Sequence, residues 1–250
     1  MEKNKLKDVV LVTTDEKAMS LKWEDNAQAL KGIQVISDEY DLRDLQSNIT
    51  FIGVQNSKEQ VFVKNPFNEL EYIEISRAED NIFKNKIKYY KRIAFLLGAK
   101  SFSAQAEFIE ENKFTMDVNG NISHRVVEIN MDVKKEQIAK FNKTYNLNSE
   151  FTLGDNFDQQ RAFNEANELV RKLNFQNEID IVGLIENNNP SDQSRETKQV
   201  VKLQLTNELN DLLEMSFRIN VMGGLFSLGA NFKSTTESVK KIILNTEIIF

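Results

Sequence analysis

Segments in which apolar residues recur at every second position are concentrated in two stretches of this chain, residues 99–153 and 195–250. The alternation begins with Phe102, Ala104, Ala106 and Phe108. Successive side chains of a β-strand point to opposite faces of a sheet, so this spacing indicates strands with one apolar and one polar face. The pattern therefore predicts two β-meanders, each with one face packed and the other face in water.

The dipeptide Asn119-Gly120 marks the strand pairing inside the first meander. Both residues tolerate positive φ, which makes this pair a strong short-range signal for a two-residue β-hairpin. Alternation resumes at Val127–Val133 and continues, with more polar residues, over Ala139–Leu153. We therefore predict three or four antiparallel strands between residues 99 and 153.

The second meander occupies the C-terminal part of the chain. Its alternating segments are Val201–Leu205, Met215–Val221, Phe226–Phe232 and Ile242–Phe250. Gly223-Gly224 precedes the third segment, as expected of a tight turn or bulge that joins two strands. The last residues are thus predicted to form a strand inside the sheet.

A different spacing, of three and four residues, separates the apolar residues between Ser76 and Gly98. Ser76 and Glu79 fit a capping box, in which each side chain satisfies a free backbone N–H of the first helical turn. Gly98 suits the left-handed conformation that ends many helices, so a helix of five to six turns is predicted here. Two shorter helices are predicted as well, one capped by Asp155 and one over Ile179–Ile185.

The first 75 residues mix shorter segments of both kinds. Apolar and β-branched runs predict strands at Asp8–Thr13, Ile33–Ile36, Ile49–Val54, Gln60–Lys64 and Leu70–Ile75. Helical segments are predicted over Asp15–Lys31 and Tyr40–Leu45. This part of the chain therefore has a mixed α/β character.

Together these elements predict an α+β fold of mainly antiparallel meandering sheets, with two or three helices packed on one face. The predicted division is a small mixed α/β part, residues 1–75, followed by a main part of helix and antiparallel sheet, residues 76–250. In the alternative interpretation the two parts form one continuous domain. No Pro- or Gly-rich linker separates them, since the 250 residues include only 2 Pro and 9 Gly.

Cysteine is absent from the sequence, and the net charge is −6. Without cysteine, neither disulfides nor Cys-based zinc and iron–sulfur sites can form. The charged segment Met1–Lys7 leads into too short an apolar run for a signal peptide, and no run approaches the ~20 apolar residues of a membrane-spanning helix. We therefore expect a cytoplasmic protein, and the many Asn and Lys residues suggest a bacterial source.

The residue types that enzymes most often use form no recognisable active site in this sequence. His124 is the only histidine, and no serine lies in a Gly-x-Ser-x-Gly motif. The glycine cluster Gly223–Gly229 lacks the Lys-Ser/Thr ending of a phosphate-binding loop, and strand-like alternation follows it. We therefore predict no catalytic, cofactor-binding or metal-binding residue.

Two acidic clusters are the remaining candidates for catalysis. They are Asp38, Glu39, Asp41 and Asp44, and Glu107, Glu110 and Glu111. Carboxylates can hold Mg²⁺, and a nearby lysine would complete a nuclease-type site. Acidic helix starts and strand ends explain the same residues without any chemistry.

A basic stretch runs through the predicted long helix. It comprises Lys84, Lys86, Lys88, Lys91 and Arg92. Tyr89-Tyr90 lies inside it, which is the nearest approach in this chain to the aromatic and basic mixture of single-strand nucleic-acid binders. Tyr90 belongs to the apolar stripe, however, and the acidic net charge disfavours phosphate binding. We interpret the stretch as the solvated face of a helix and expect no nucleic-acid partner.

The wet sheet faces and open strand edges favour a non-catalytic protein that acts through protein–protein interaction or self-assembly. The expected partner is another protein or a second copy of the chain, with no cofactor and no small-molecule ligand. One alternative is a membrane-perforating β-hairpin protein, because membrane hairpins need ~9–11 alternating residues per strand. A second alternative is a metal-dependent hydrolase or nuclease with a carboxylate-only site.

Overall fold

The computed structural model describes residues 6–23, 32–38, 41–55, 59–117, 122–127, 130–192, 196–205, 207–221 and 236–250. The α-helices in these residues are α1 Asp15–Trp23, α2 Asp41–Gln46, α3 Ile75–Leu96, α4 Met131–Thr144, α5 Gln159–Lys172, α6 Ile179–Glu186 and α7 Asn207–Val221, with a 3-10 turn at Phe175–Asn177. The strands are β1 Val9–Thr13, β2 Ile33–Ser37, β3 Thr50–Ile52, β4 Gln60–Asn65, β5 Asn68–Glu74, β6 Ser101–Met116, β7 Ile122–Val127, β8 Ser149–Glu150, β9 Lys198–Gln204 and β10 Ser238–Ile249. The fold is α+β as predicted, with more helices than the two or three expected.

Internal contacts divide the chain into two compact units, and neither unit is one continuous stretch. Unit 1 comprises residues 1–82, 111–127 and 206–240, and unit 2 comprises residues 83–110, 128–205 and 241–250. Helix α3 and strands β6 and β10 therefore contribute residues to both units.

Unit 1 contains a five-stranded mixed sheet in the order β2-β1-β4-β5-β3. Strand β1 is parallel to β2 and antiparallel to β4, and all five of its residues, Val-Val-Leu-Val-Thr, are buried. A strand that is covered on both faces needs such a continuous apolar run, which explains why β1 does not alternate. Helix α7 packs against β1 and β4 within this unit.

A cluster of buried side chains lies at the centre of unit 1. Its members are Leu6, Val10, Val12, Ile36, Leu42, Phe62 and Tyr72. The ring of Phe51 packs against this cluster, with its centroid 5.2 Å from that of Phe62 and 5.5 Å from that of Tyr72. Aromatic pairs in such arrangements contribute about 0.5–1.5 kcal/mol beyond their buried area.

The second sheet has the strand order β7-β6-β10-β9, and β8 also pairs with β6. Strands β9 and β10 are antiparallel, in register from Gln204 opposite Ile243 to Lys198 opposite Ile249. Along β6, Phe102, Ala104 and Ala106 are buried, whereas Ser103, Gln105 and Glu107 are exposed. The predicted alternation of one apolar and one polar face is therefore confirmed for this part of the chain.

Two segments that were predicted as strands are helical. The first is part of residues 127–153, where α4 begins after Asn130, whose side chain accepts a hydrogen bond from the Asp132 N–H at 2.8 Å. Met131 and Val133 are 67% and 46% exposed, so the alternation at 127–133 did not mark a buried strand face. An Asn cap followed by good helix formers outweighs an alternation over so few residues.

The second such segment is Met215–Val221, which forms the end of α7. The buried side chains of this helix are Leu209, Leu212, Leu213, Ser216, Phe217 and Ile219. Their spacing is helical, and the strand prediction failed because it left out the leucines before Met215. The segment Phe226–Phe232, the glycine cluster Gly223–Gly229 and the turn Asn119-Gly120 lie outside the described residues.

The helix ends show which local signals decide where a helix starts. At α3, the Glu74 carboxylate accepts a hydrogen bond from the Ser76 N–H at 3.2 Å, so Glu74 takes the capping role predicted for Ser76. At α5, Asp158 replaces the predicted Asp155, and its Oδ1 accepts from the Arg161 N–H at 3.0 Å. Gly98 has φ +93° just after α3, as predicted for the residue that ends this helix.

Candidate binding groove in unit 2

Helix α3 turns the residues of the basic stretch toward different sides. Lys84, Lys88 and Arg92 are exposed and recur every four residues, which places them in a row along one side of the helix. Lys86 lies off this row and is fully buried, with 0% exposure. The interpretation of the whole stretch as a solvated face is therefore wrong for Lys86 and holds for the three residues of the row.

A groove of about 690 Å³ runs beside this row. The charged residues that line it are Lys84, Lys88, Lys91 and Arg92. None of the described residues along this lining is acidic, although the chain as a whole has a net charge of −6. This basic groove is therefore a local concentration of positive charge on an acidic protein, which favours the approach of anions.

The other wall of the basic groove comes from the end of α4 and the chain that follows it. It is formed by Thr144, Tyr145, Asn146, Ser149 and Phe151. Helix α4 ends because Tyr145 adopts an extended backbone conformation, with φ −103° and ψ 131°. The Tyr145 ring packs on the buried Phe141 with a centroid distance of 4.5 Å, which fixes this wall to the core of unit 2.

Four aromatic rings give the basic groove an apolar interior. They belong to Tyr89, Phe95, Tyr145 and Phe151. The centroid of Phe95 lies 5.6 Å from that of Phe151 and 6.1 Å from that of Phe157, in edge-to-face contacts. Because these half-buried rings hold one another in place, they offer a preformed surface for an apolar side chain.

Lys91 connects the two walls. Its Nζ donates hydrogen bonds to the backbone carbonyls of Asn146 and Asn148, the second at 3.3 Å. Burial lowers the pKa of Lys91, because desolvation disfavours its charged form. This side chain therefore shapes the basic groove by tethering the 146–148 segment to helix α3.

Arg92 is held in place by two neighbours. Its Nη2 lies 2.6 Å from the Glu165 Oε1, and its guanidinium carbon lies 5.4 Å from the centre of the Phe95 ring. Both charged side chains are about half exposed, at 47% and 51%. Exposed ion pairs of this kind are weak, typically about 0–1 kcal/mol, so Arg92 is available to an incoming anion.

Lys88 lies between the other two cations of the row. Its side chain is exposed, and within the described residues it has no hydrogen bond or ion pair. The ammonium of Lys88 is therefore solvated in the protein alone and can reach a ligand without first breaking a contact.

The buried Lys86 belongs to a separate polar network on the inner side of α3. Its Nζ lies 2.7 Å from the Glu178 Oε1 and 5.6 Å from the centre of the Phe175 ring. The Tyr90 hydroxyl lies 2.7 Å from the Glu178 Oε2 and 2.9 Å from the Gln204 carbonyl oxygen. Because Lys86 is fully enclosed and its charge is balanced, this network supports the helix and is not accessible to a ligand.

The described residues of the two acidic clusters considered for catalysis lie at the end of β2, in α2 and in β6. Asp38 follows β2, whereas Asp41 and Asp44 lie in α2, and Glu39 is outside the described residues. Glu107 forms an ion pair with Lys202 at 3.0 Å. In the part of the chain that the structure describes, no three His, Cys, Asp or Glu side chains are grouped as a metal site would require.

Two further sequence observations concern His124 and membrane insertion. His124 lies in β7, where its backbone is opposite Phe114, and its side chain is outside what the structure describes. None of the helices formed by the described residues is both long enough and apolar enough to cross a membrane.

The sequence indicates one wall of the basic groove and gives no sign of the other. The cations of α3 were recognised as a cluster, but Tyr145 and Phe151 were assigned to a polar strand over 139–153. Only the end of α4 brings these two rings opposite Phe95, and no local spacing in the sequence predicts that approach. Comparisons of the chain with protein-family models, curated proteins and solved structures gave no match.

Proposed function

We propose that this protein is a non-catalytic binding protein that holds an acidic segment of a partner protein in the basic groove. The observation that carries the proposal is the lining itself, in which four cations and no described carboxylate surround four aromatic rings. A surface of this composition attracts negative charge and also buries apolar area, and protein segments supply both.

The size of the basic groove supports the same proposal. At about 690 Å³ it lies within the ~300–1,000 Å³ range of typical ligand-binding clefts, which is enough for a few side chains. A long nucleic acid would extend beyond it onto a protein whose other charges sum to a negative value, where phosphates are repelled. A short acidic protein segment can contact the cations of the basic groove without extending onto the negatively charged surface around it.

Charge reversal at the row tests the proposal directly. We expect the double variant Lys84→Glu/Lys88→Glu to bind a fluorescein-labelled, glutamate-rich peptide at least about tenfold more weakly than the unaltered protein. Fluorescence anisotropy at low and at physiological salt is the measurement, and added salt should weaken the binding of the unaltered protein.

The matched control is Lys135→Glu/Lys172→Glu, which changes the net charge equally at exposed lysines of α4 and α5. The control should bind like the unaltered protein. Equal losses in both double variants, or no binding by the unaltered protein, would contradict the proposal.

Two other functions inferred from the sequence stay predictions. They are a membrane-perforating β-hairpin protein and a hydrolase or nuclease with a carboxylate-only metal site. Dye release from anionic liposomes tests the first, and cleavage of nucleic acid that stops on Mg²⁺ chelation tests the second.

A further inference from the structure

We infer that the basic groove selects an extended segment in which acidic and apolar residues alternate. This inference rests on the function proposed above and adds the chemistry of the bound segment. Two features of unit 2 carry it, namely the spacing of the exposed cations along α3 and the aromatic rings beside them.

The cation row has a repeat that an extended chain can match. Lys84, Lys88 and Arg92 are four residues apart, which corresponds to about 6 Å per step and about 12 Å in total along a helix. Alternate side chains of an extended strand are about 6.6 Å apart, so carboxylates at its first, third and fifth positions span about 13 Å. Three carboxylates on one extended segment can therefore meet three cations in register.

The residues between the carboxylates face the opposite way in an extended chain. Opposite the cation row, the wall that follows α4 carries the half-buried rings of Tyr145 and Phe151. Long Lys side chains can reach over the edge of a groove while apolar groups occupy its interior. An alternating acidic and apolar segment uses both parts of the site, whereas a purely acidic one leaves the rings exposed to water.

Glu165 acts as a resident competitor for the third position of the row. Its Oε1 lies 2.6 Å from the Arg92 Nη2, and about half of each side chain is in contact with water. A bound carboxylate at this position must displace Glu165, which costs little because exposed ion pairs are weak. Removing the Glu165 charge should therefore strengthen binding.

Two peptides of equal composition test the alternation. One has the order Glu-Phe-Glu-Val-Glu and the other the order Glu-Glu-Glu-Phe-Val, each carrying fluorescein on a glycine spacer. We expect the unaltered protein to bind the alternating peptide at least about fivefold more tightly than the other peptide, as measured by fluorescence anisotropy. Glu165→Gln should tighten that binding by about twofold or more, since Arg92 is then unpaired.

The matched control for that variant is Glu168→Gln, which removes an exposed carboxylate from the same helix and should leave the affinity unchanged. Equal affinities for the two peptides would overturn this inference and leave the proposed function standing. No binding of either peptide would overturn both. Tighter binding of a 12-nucleotide oligothymidylate than of the alternating peptide would also overturn both, in favour of a nucleic-acid site.

Discussion

Lys86 and Lys88 are two residues apart in the same helix and have opposite environments. Lys86 is 0% exposed and forms an ion pair with Glu178 at 2.7 Å, whereas Lys88 is exposed and has no ion-pair partner among the described residues. The comparison shows that charge alone does not decide whether a lysine contributes to the core or to the surface. Lys86 can be buried because the fold encloses it and also brings the Glu178 carboxylate to its ammonium.

Contacts on the inner side of α3 contribute more to the free energy of unfolding than contacts on its outer side. Removing an ammonium from water costs several kcal/mol, and the Glu178 carboxylate and the Phe175 and Tyr90 rings offset that cost for Lys86. On the outer side, Lys88 is exposed to water and the ion pair of Arg92 with Glu165 is half exposed, so these contacts contribute little to the free energy of unfolding. Stability should therefore respond to changes on the inner side, and binding to changes on the outer side.

The largest expected effect is that of Lys86→Met. This change leaves the largely buried Glu178 without its partner, and we expect a loss of about 3–5 kcal/mol in the free energy of unfolding. Lys88→Met, the matched change two residues away, should stay within about 0.5 kcal/mol. Chemical denaturation of both variants measures the difference.

A partial recovery of stability in Lys86→Met/Glu178→Gln would show that the unpaired carboxylate causes the loss. Similar stabilities of Lys86→Met and Lys88→Met would remove the distinction between the two sides of the helix.

An intermediate effect is expected for Tyr90→Phe. The ring is kept, but the hydroxyl that lies 2.7 Å from Glu178 and 2.9 Å from the Gln204 carbonyl oxygen is lost. We expect a loss of about 1–3 kcal/mol, because buried acceptors are left with fewer donors. Equal stabilities of Tyr90→Phe and the unaltered protein would contradict the assignment of these hydrogen bonds.

The smallest effect is expected for Lys91→Met, at about 1 kcal/mol, because only the tether to the Asn146 and Asn148 carbonyls is lost. The effect of this substitution on the free energy of unfolding should also depend on pH. The folded-state pKa of Lys91 is lowered from 10.5 by desolvation, so the unfolded chain binds more protons between the two pKa values. The stability of the unaltered protein relative to Lys91→Met should therefore increase as the pH rises toward 10.5.

Denaturation of both proteins at several values between about pH 8 and 10 measures this slope. A constant difference between the two proteins would mean that Lys91 is solvated and does not hold the wall of the basic groove.

Segments with a long or unbroken pattern were predictable from the sequence. The stripe of α3 extends over some six turns and ends at Gly98, and β1 is an uninterrupted apolar run. The pattern in α7 was misassigned because Met215, Phe217 and Ile219 fit both a strand and part of a helix, and only Leu209 and Leu212 resolve the ambiguity. A short apolar pattern is not long enough to distinguish the two-residue repeat of a strand from the 3.6-residue repeat of a helix.

The site was less predictable than the fold. The sequence shows that the basic stretch is rich in cations, but the burial of Lys86 depends on Glu178, which is remote in sequence. The aromatic wall depends in the same way on Tyr145 and Phe151, which approach α3 only in the folded unit. Contacts between distant segments leave no local periodicity to detect.

The Tyr90 hydroxyl meets a side chain 88 residues later in the chain and a carbonyl 114 residues later. At ~5–20 residues per second, a ribosome needs on the order of ten seconds to make that intervening length. During this time the nascent α3 segment lacks both the Glu178 carboxylate that pairs with Lys86 and the Gln204 carbonyl that the Tyr90 hydroxyl contacts. The polar network on the inner side of α3 is therefore completed only after about half of the chain has been synthesised beyond this helix.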